Sequence, residues 1–531
     1  MKTEQNNDIM NISQEQFEFV QFGDRISDKK FNDKPIGYFK DAWIRFRKNK
    51  ASIVATGIII IIFLFAFLTP LFNFNYDSTF MDPYYAKKGP RNLALSKIGI
   101  ATGASDRSFS EKGLLRAYAI GMGAEDGEGK GVTLKQGKES YYQPIRQLYG
   151  STMQFDPNTQ KDVPYYSGAI DVYLEFGFLY LSVEQEEYAR IVKWQEDNQI
   201  RVLYPLIQNN EFNMDYSDAN NWYKAKKNTP YRVNPTTGYA SKLSFEDFDD
   251  DFRLEDNYKR DENGNVIYHE YTGGGNQDTA QFKIRVLYYN YYRYVNGFEP
   301  EYIFGTDTQG YDLALRMADG VRLSLLIAIC VSLINFIIGA VYGAIEGYYG
   351  GAVDLTMEFV AYILSGVPFI VVATLFQMHL AGKVGAIPSL LFAFVLTGWL
   401  GTAGRVRTQF YRFKNQEYVM AARTLGAKDS RIIMKHIFPN SLGTLITSSV
   451  LVIPGVISSE SMLSYLGIVN LGGSGTTSLG TLLSDASGIW TNYPHLMIFP
   501  ALILSLLMIS FNLFGNGLRD AFNPSLRGVE E

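Results

Sequence analysis

The chain has 531 residues with 49 basic and 54 acidic side chains, and its net charge of -5 argues against nucleic acid as the main partner. The single cysteine, Cys330, excludes an intrachain disulfide, and the four histidines lack the spacing of metal ligands. This length is typical of several domains or of one large membrane protein.

The chain opens with a polar segment, residues 1–50, that ends in a basic cluster from Lys40 to Lys50. Residues 51–72 follow as an apolar run without charge. About 20 such residues cross a bilayer, so we predict a transmembrane helix here. The basic residues before it place residues 1–50 in the cytoplasm, and the length of the polar segment argues against a cleavable signal peptide.

Residues 73–300 differ in character, because they are rich in Tyr, Asp, Asn and Gly and contain no apolar run long enough to span. Mixed aromatic and β-branched residues predict strands at 169–183 and 283–294, and 183–195 predicts a helix. We therefore predict an α+β domain on the outer face. A long disordered loop is the alternative, but the aromatic content argues against it. The acidic run at 246–251 is interpreted as a solvated surface.

Five further apolar segments follow this block. We predict the remaining spans at 323–345, 355–378, 387–404, 442–458 and 496–515. Proline and glycine interrupt two of them, at Pro368 and at Pro454-Gly455, and such breaks either kink the packing or line a gate. Glu460 and other carboxylates near span ends are either functional groups or locally paired interfacial residues.

The predicted fold class is an α-helical polytopic membrane protein with six transmembrane helices and a large α+β extracytoplasmic insertion between helices 1 and 2. Eight basic residues between 405 and 440 place that stretch in the cytoplasm, together with both termini. The domains are then residues 1–50, helix 51–72, the insertion 73–300, a core 301–525 and a cytoplasmic tail 526–531.

The stretch 415–440 is too polar to span, yet it lies between two spans. Asn415 is predicted to cap a helix that ends at Gly426. A second helix is predicted from Asp429 or Ser430 to Phe438, because the residue before Pro439 is biased away from the helical region. The adjacent Ala421 and Ala422 would let another surface approach closely.

This helix-turn-helix resembles the cytoplasmic coupling loop, or EAA loop, of ABC importer permeases. The matching residues are Ala421, Ala422, Gly426 and Ile437-Phe438-Pro439, while Met420 replaces the usual acidic residue. Residues 301–322 resemble the GTDxxGRD segment of oligopeptide and dipeptide permeases, and 347–354 resembles their GYxGGxxD turn. Residues 460–467 and 511–524 resemble two further segments of the same permeases. The resemblance covers 301–525 well, 51–72 weakly and 73–300 not at all.

The resemblance implies the permease subunit of a bacterial oligopeptide ABC importer in the cell membrane. Such a subunit forms the translocation path with a second permease, and it couples to two cytoplasmic ATP-binding subunits and an extracytoplasmic peptide-binding protein. ATP and Mg²⁺ would bind to those ATPase subunits, and neither a cofactor nor a metal is expected in this chain. The residues expected to couple to the ATPase are Ala421, Ala422, Arg423, Leu425, Gly426, Lys435 and Pro439. The candidates for the gate or pore are Pro368, Pro454, Gly455 and Glu460.

Other functions are less compatible with the sequence. The chain has no G-x-x-x-x-G-K-[ST] phosphate loop and no recognisable catalytic motif, so we predict a non-catalytic transport subunit. One alternative is an importer of dipeptides, nickel or another small solute. A remote alternative is an extracytoplasmic enzyme or receptor anchored by the spans.

Overall fold

The structure, a computed structural model, describes residues 37–522 except 74, 129–140, 158–159, 209–218, 222, 224, 227–228, 234–239, 243–255, 274–280 and 473–476. The acidic run at 246–251 and the predicted tail at 526–531 lie outside the described residues.

The part of the chain outside the insertion is built from helices, some apolar and some polar. They are α1 (Tyr38–Lys48), α2 (Lys50–Phe72), α7 (Leu313–Tyr349), α8 (Gly351–Ser365), α9 (Phe369–Val384), α10 (Ala386–Gly398), α11 (Leu400–Phe413), α12 (Glu417–Thr424), α13 (Asp429–Arg431), α14 (Phe438–Val450), α15 (Val452–Tyr465), α16 (Leu479–Ala486) and α17 (His495–Phe522). Among the described residues, five helical segments are long and apolar enough to cross a membrane, or six if the bent pair α8–α9 counts as one span. Each of the six apolar runs chosen from the sequence lies within one of these segments.

The third predicted span is broken rather than continuous. α8 and α9 are bent by 71° at the residues between them. Pro368 lies in this break with φ -58° and ψ 128°. Proline lacks the amide hydrogen that an uninterrupted helix needs, so the chain turns here. The sequence located this feature correctly, although we expected only a kink.

The prediction that the second helix of 415–440 ends at Phe438 is wrong. Phe438 has helical angles, φ -59° and ψ -45°, and the chain continues into α14. A π-helical turn, Ile432–Ile437, precedes it. Pro439 therefore occupies the first turn of α14, where its missing amide hydrogen costs little.

Two smaller predictions also need correction. The residue that caps α12 is Gln416 rather than Asn415, and it makes no side-chain cap hydrogen bond. The interruption expected at Pro454-Gly455 lies earlier, at Leu451 between α14 and α15. Proline at 454 cannot donate to the carbonyl four residues before it, so the hydrogen-bond ladder of the helix is interrupted in the preceding turn.

The insertion combines strands and helices. Its elements are α3 (Leu93–Ser96), β1 (Ala104–Ser110), α4 (Glu111–Glu125), β2 (Ile145–Asp156), β3 (Lys161–Asp171), β4 (Phe178–Glu184), α5 (Gln185–Asn198), β5 (Leu203–Tyr204), β6 (Ala225–Lys226), β7 (Thr229–Val233), β8 (Ala240–Lys242), β9 (His269–Tyr271), β10 (Gln281–Leu287) and α6 (Tyr288–Asn296). Within the described residues, antiparallel pairing gives the sheets β1-β3-β2, β4-β10-β5 with β9 on β10, and β6-β7-β8.

Buried tyrosines form much of the core of the insertion. Tyr302 stacks on Tyr76 with ring centroids 4.5 Å apart and on Tyr173 at 6.1 Å. Tyr292 donates its hydroxyl hydrogen bond to Tyr76 at 3.0 Å, so the polar ends of these rings are satisfied inside the core. This packing is that of a folded domain and not of a disordered loop. The strand expected at 283–294 is wrong after Leu287, because α6 begins at Tyr288.

The insertion begins and ends at one place, which we call the root. The root consists of residues 76–91 and 301–312. Four backbone hydrogen bonds join its two segments: Arg91 N to Tyr302 O at 2.8 Å, Lys87 N to Asp307 O at 2.8 Å, Thr306 N to Lys88 O at 2.9 Å and Asp82 N to Gly310 O at 3.1 Å. Asn73 at the end of α2 donates to Asp312, the residue that caps α7, at 2.7 Å. The root therefore also ties α2 to α7.

The helices α7 and α11 approach very closely. Glycines spaced four residues apart on α7, at 339, 343 and 347, face the backbone of α11. A β-carbon at Gly339 would lie 2.9 Å from the carbonyl oxygen of Trp399, and one at Gly347 would lie 2.8 Å from that of Arg407. Small residues at such an interface allow close helix contact where lipid supplies no hydrophobic drive.

Candidate functional site

The stretch 415–440 folds as an exposed helical projection, which we call the knob. α12 ends because Gly426 has φ 76°, a left-handed conformation that glycine adopts without strain. The amide of Ala427 donates to Ala422 O at 3.1 Å and that of Gly426 donates to Arg423 O at 3.0 Å. These bonds satisfy the last carbonyls of the helix and redirect the chain into α13.

Buried side chains hold the knob on the ends of α7 and α11. Val419, Ile432 and Ile437 of the knob are fully buried against Val406 and Phe410 of α11. Such burial contributes about 1.5–3 kcal/mol for each large apolar side chain. The knob is therefore packed firmly on the ends of α7 and α11.

Tyr348, at the end of α7, connects both helices of the knob. Its hydroxyl donates to Asp429 Oδ1 at 2.6 Å. Arg423 Nη2 approaches the same hydroxyl at 3.4 Å, with its guanidinium 5.7 Å from the ring centre. The sequence located Tyr348 only as part of a turn, since nothing in the spacing shows that it reaches residues 75 and 81 positions further on.

Other side chains of the knob are exposed, and some of these are apolar. Leu425 has 88% of its surface exposed, and Met420 and Met434 are also exposed. Ala421 lies one turn before Leu425, and Gly426 has nothing within 4 Å of the position of a β-carbon. Six of the seven predicted coupling residues are exposed: Ala421, Arg423, Leu425, Gly426, Lys435 and Pro439. Ala422 is half-buried, and Arg423 is exposed but contacts Tyr348.

A second cluster, absent from the predicted site, surrounds Arg407 of α11. Its guanidinium binds Asp354 at 2.6 and 3.0 Å, lies 3.5 Å from Glu346 and pairs with Glu358. Tyr411 donates to Asp354 at 2.6 Å. The sequence showed these carboxylates only as charges near span ends. The structure places these carboxylates on α7 and α8, around the guanidinium of Arg407.

The predicted gate or pore residues lie on two elements: Pro368 at the break before α9, and Pro454, Gly455 and Glu460 on α15. Pro368 and Gly455 are exposed, whereas Pro454 is buried. Glu460 is fully buried, where it accepts hydrogen bonds from Ser324 of α7 at 2.9 Å and from Ser464 at 3.0 Å. These bonds satisfy a carboxyl group that would otherwise be costly inside the membrane part, and they tie α15 to α7.

Comparisons with known proteins identify the relatives of this chain. A family model described as binding-protein-dependent transport system inner membrane component matches residues 339–528. A second, the N-terminal TM domain of oligopeptide transport permease C, matches residues 37–90. Residues 91–338 lie between the two matches.

Curated relatives have similar identities. A dipeptide transport system permease protein of Lactococcus lactis is 40% identical over 43% of this chain and 64% of its own length. An oligopeptide transport system permease protein of Bacillus subtilis is 39% identical over 42% of this chain and 72% of its own length. The chain thus spans less than two thirds of the Lactococcus lactis relative.

A solved inward-facing structure of a methionine ABC transporter matches 39% of this chain and 96% of its own chain, with 16% identity and a TM-score of 0.33. A likeness at that score carries no argument. On the sequence matches, the chain belongs to the family of binding-protein-dependent transport system inner membrane components, and it is a multi-pass membrane permease.

Proposed function

We propose that this chain is a transmembrane permease subunit of an ATP-driven importer for oligopeptides. It would form the translocation path with a second permease and work with an extracytoplasmic peptide-binding protein. ATP and Mg²⁺ would bind to two partner ATPase subunits. The observation that carries the proposal is the knob, which is anchored by buried side chains and leaves Leu425 and Met420 exposed.

The proposed membrane arrangement has six spans, with α8 and α9 together as the third. Residues 1–50 and 526–531 would be cytoplasmic, and 73–300 would be extracytoplasmic. The basic residues of 405–440 support this orientation. In a chain with Cys330 replaced by serine, a cysteine at Lys428 should react only with reagents that enter the cytoplasm. Labelling from outside intact cells would reverse the orientation.

The proposed mechanism is mechanical. Closure of the ATPases would move the apolar face around Leu425, and Tyr348 would pass this motion to α7 through its contact with Asp429. The packed side chains at Val406 and Phe410 would pass it to α11. The path would then alternate between inward and outward access.

The gate assignments are part of the same proposal. The 71° break at Pro368 is the largest irregularity among the described spans, and irregular backbone at membrane depth is tolerated where it lines a cavity or is buried in protein. Glu460 would act by holding α15 on α7 rather than by lining the path, because it is fully buried. Uptake at the wild-type rate by a Pro368→Ala variant would remove Pro368 from the gate.

The decisive experiment changes the open face of the knob without changing its anchor. Leu425→Asp places a charge on a side chain that is 88% exposed, so stability should change by less than about 0.5 kcal/mol. We expect uptake of a radiolabelled oligopeptide to fall by about tenfold or more, with loss of co-purifying ATPase subunits. Ile98→Asp, at a residue 70% exposed in the insertion, is the matched control and should keep both.

A Gly426→Pro variant gives an independent disruption, because proline cannot adopt the φ of 76° found there. Normal uptake and normal ATPase co-purification by Leu425→Asp would contradict the proposed coupling surface.

Dipeptides are the second candidate cargo, because relatives named as dipeptide permeases match as well as those named as oligopeptide permeases. Competition of labelled pentapeptide uptake by unlabelled dipeptides and pentapeptides separates the two candidates. Stronger competition by dipeptides would favour the second.

A further inference from the structure

The insertion contains a large cavity that no feature of a permease requires. Its volume is about 800 Å³, within the range of about 300–1,000 Å³ found for small-molecule sites. The wall comprises side chains of α4, β1, β3 and β4 together with Lys88 of the root and the turn before β4. The exposed Arg116 borders it, so the cavity reaches solvent.

The wall has both polar and apolar surface, and its apolar part consists of aromatic and aliphatic side chains. Phe109, Phe176, Phe178, Ile120 and Ile170 line the cavity, and all but Phe176 are buried. The turn that carries Phe176 and Phe178 is held by Asn220, which accepts a hydrogen bond from Phe178 N at 2.7 Å. Gly177 in this turn has φ 75°, a conformation that fits glycine. The apolar wall is thus fixed in place before any ligand binds.

The charged groups at the wall are not balanced. Glu175 is already paired, since Arg107 Nη1 contacts its two carboxylate oxygens at 3.0 and 3.3 Å. Lys88 also lines the cavity, and among the described residues its ammonium group has no hydrogen bond and no ion pair. Burial lowers the pKa of Lys88, which fits an ammonium group that lacks a partner.

An anion would pair with this ammonium group and offset the cost of its burial beside the aromatic wall. A ligand with a carboxylate and apolar side chains would satisfy both parts of this wall. Glu175 lines the same cavity as Lys88, and a carboxylate paired to one arginine still has free lone pairs for a second cation. The cavity therefore offers one group for each end of a zwitterion.

We propose that this cavity binds a short peptide with apolar side chains, with its terminal carboxylate at Lys88 and its ammonium group towards Glu175. This site is separate from the translocation path and from the knob. It would give the extracytoplasmic domain its own ligand contact. The choice of a peptide over other zwitterions rests on the proposed function, whereas the existence of the site does not.

The test uses the purified full-length chain in lipid nanodiscs and titration calorimetry, so that binding is measured without transport. The probe is the tripeptide Ala-Phe-Leu, compared with its C-terminal amide and with decanoate. The variant Lys88→Met keeps the aliphatic stem and the backbone contacts of Lys88 but removes the charge. Lys97→Met, at an exposed lysine outside the cavity wall, is the matched control.

We expect wild type and Lys97→Met to bind the tripeptide equally. Lys88→Met should bind it about tenfold more weakly or worse, because a charge-assisted hydrogen bond contributes at least that factor. The amide should bind wild type about as weakly as the acid binds Lys88→Met. The melting temperature of Lys88→Met should equal that of wild type.

Three results would overturn the proposal: no binding of the tripeptide to wild type at millimolar concentration, equal binding by wild type and Lys88→Met, or tighter binding of decanoate than of the tripeptide. The first two remove the site and the third changes its ligand to a fatty acid. A failure of the proposed importer function would instead appear as normal uptake by Leu425→Asp, so the two failures are distinguishable.

Discussion

The membrane core and the insertion are held together in opposite ways. Between α7 and α11 the contact depends on the absence of side chains, since glycines at 339, 343 and 347 let the two backbones approach closely. In the insertion the contact is made by large rings, such as those of Tyr302 and Tyr76. The difference follows from solvent. Water drives aromatic burial in the insertion, whereas lipid gives helices no such drive, so the helices depend on close packing.

The largest expected effect is in the tyrosine core. Tyr302 is fully buried, so Tyr302→Ala should lower the free energy of unfolding of the insertion by about 3–5 kcal/mol. Hydrogen exchange measured by mass spectrometry should show faster exchange in β1 and β3 and no change in α7 and α11. Tyr302→Phe keeps the ring and should cost only about 1 kcal/mol. Equal loss of protection in both regions would show that they unfold as one unit.

The second effect concerns Asp312, which lies where the two regions meet. Burial raises its pKa from 3.8 to about 6, against the hydrogen bonds from Ala314 and Asn73 that lower it. The folded chain therefore binds this proton more tightly than the unfolded chain. The stabilisation that protonated Asp312 contributes is fully present below pH 3.8, and it is lost as pH rises through about 6. At about 1.4 kcal/mol per pKa unit, the loss is roughly 3 kcal/mol.

Comparing the melting temperature of wild type with that of Asp312→Asn between pH 4 and 7 measures this contribution. Asparagine retains the oxygen that caps α7 but does not titrate, so the variant should lack the decline. Asp77→Asn is the control, because the hydrogen bond from the Thr79 side chain lowers the pKa of Asp77 below this window. Parallel curves for wild type and Asp312→Asn would refute the assignment.

The smallest effect is in the glycine contact. A β-carbon at Gly343 would meet the carbonyl oxygen of Ala403 closer than van der Waals contact allows, and neither backbone can move freely. Gly343→Ala should therefore destabilise the core by about 1–3 kcal/mol. Gly404→Ala on α11 adds the same methyl group where nothing lies within 4 Å, so it should be neutral or slightly stabilising. Fluorescence-detected gel filtration after heating compares the two, and similar behaviour would count against the close contact.

The sequence predicted features that depend on local chemistry. Uncharged runs identified the apolar helices, since a span requires length without charge. Gly426 ended its helix as expected, because only the identity of that residue was needed. The knob was recognised for the same reason, as its pattern lies within 26 consecutive residues.

Features that depend on distant or competing contacts were not predictable. The cluster around Arg407 joins three helices, and no spacing rule brings Glu346, Asp354 and Arg407 together. At Pro439 the rule that the residue before a proline leaves the helical region did not hold, since a π-helical turn accommodates the proline without ending the helix. At α6 the aromatic residues suggested a strand, although Tyr288 and Tyr292 are four residues apart and share a buried helical face.

The root has a mechanical consequence for the whole molecule. Because Arg91 N donates to Tyr302 O and Asn73 donates to Asp312, both ends of the insertion are fixed at one place, where α2 ends and α7 begins. A force applied to the insertion by a bound protein would therefore act on α2 and α7 together. It would tilt the two helices as a pair and would not separate them. Additions or deletions between the two ends would change the size of the insertion and leave this attachment unchanged.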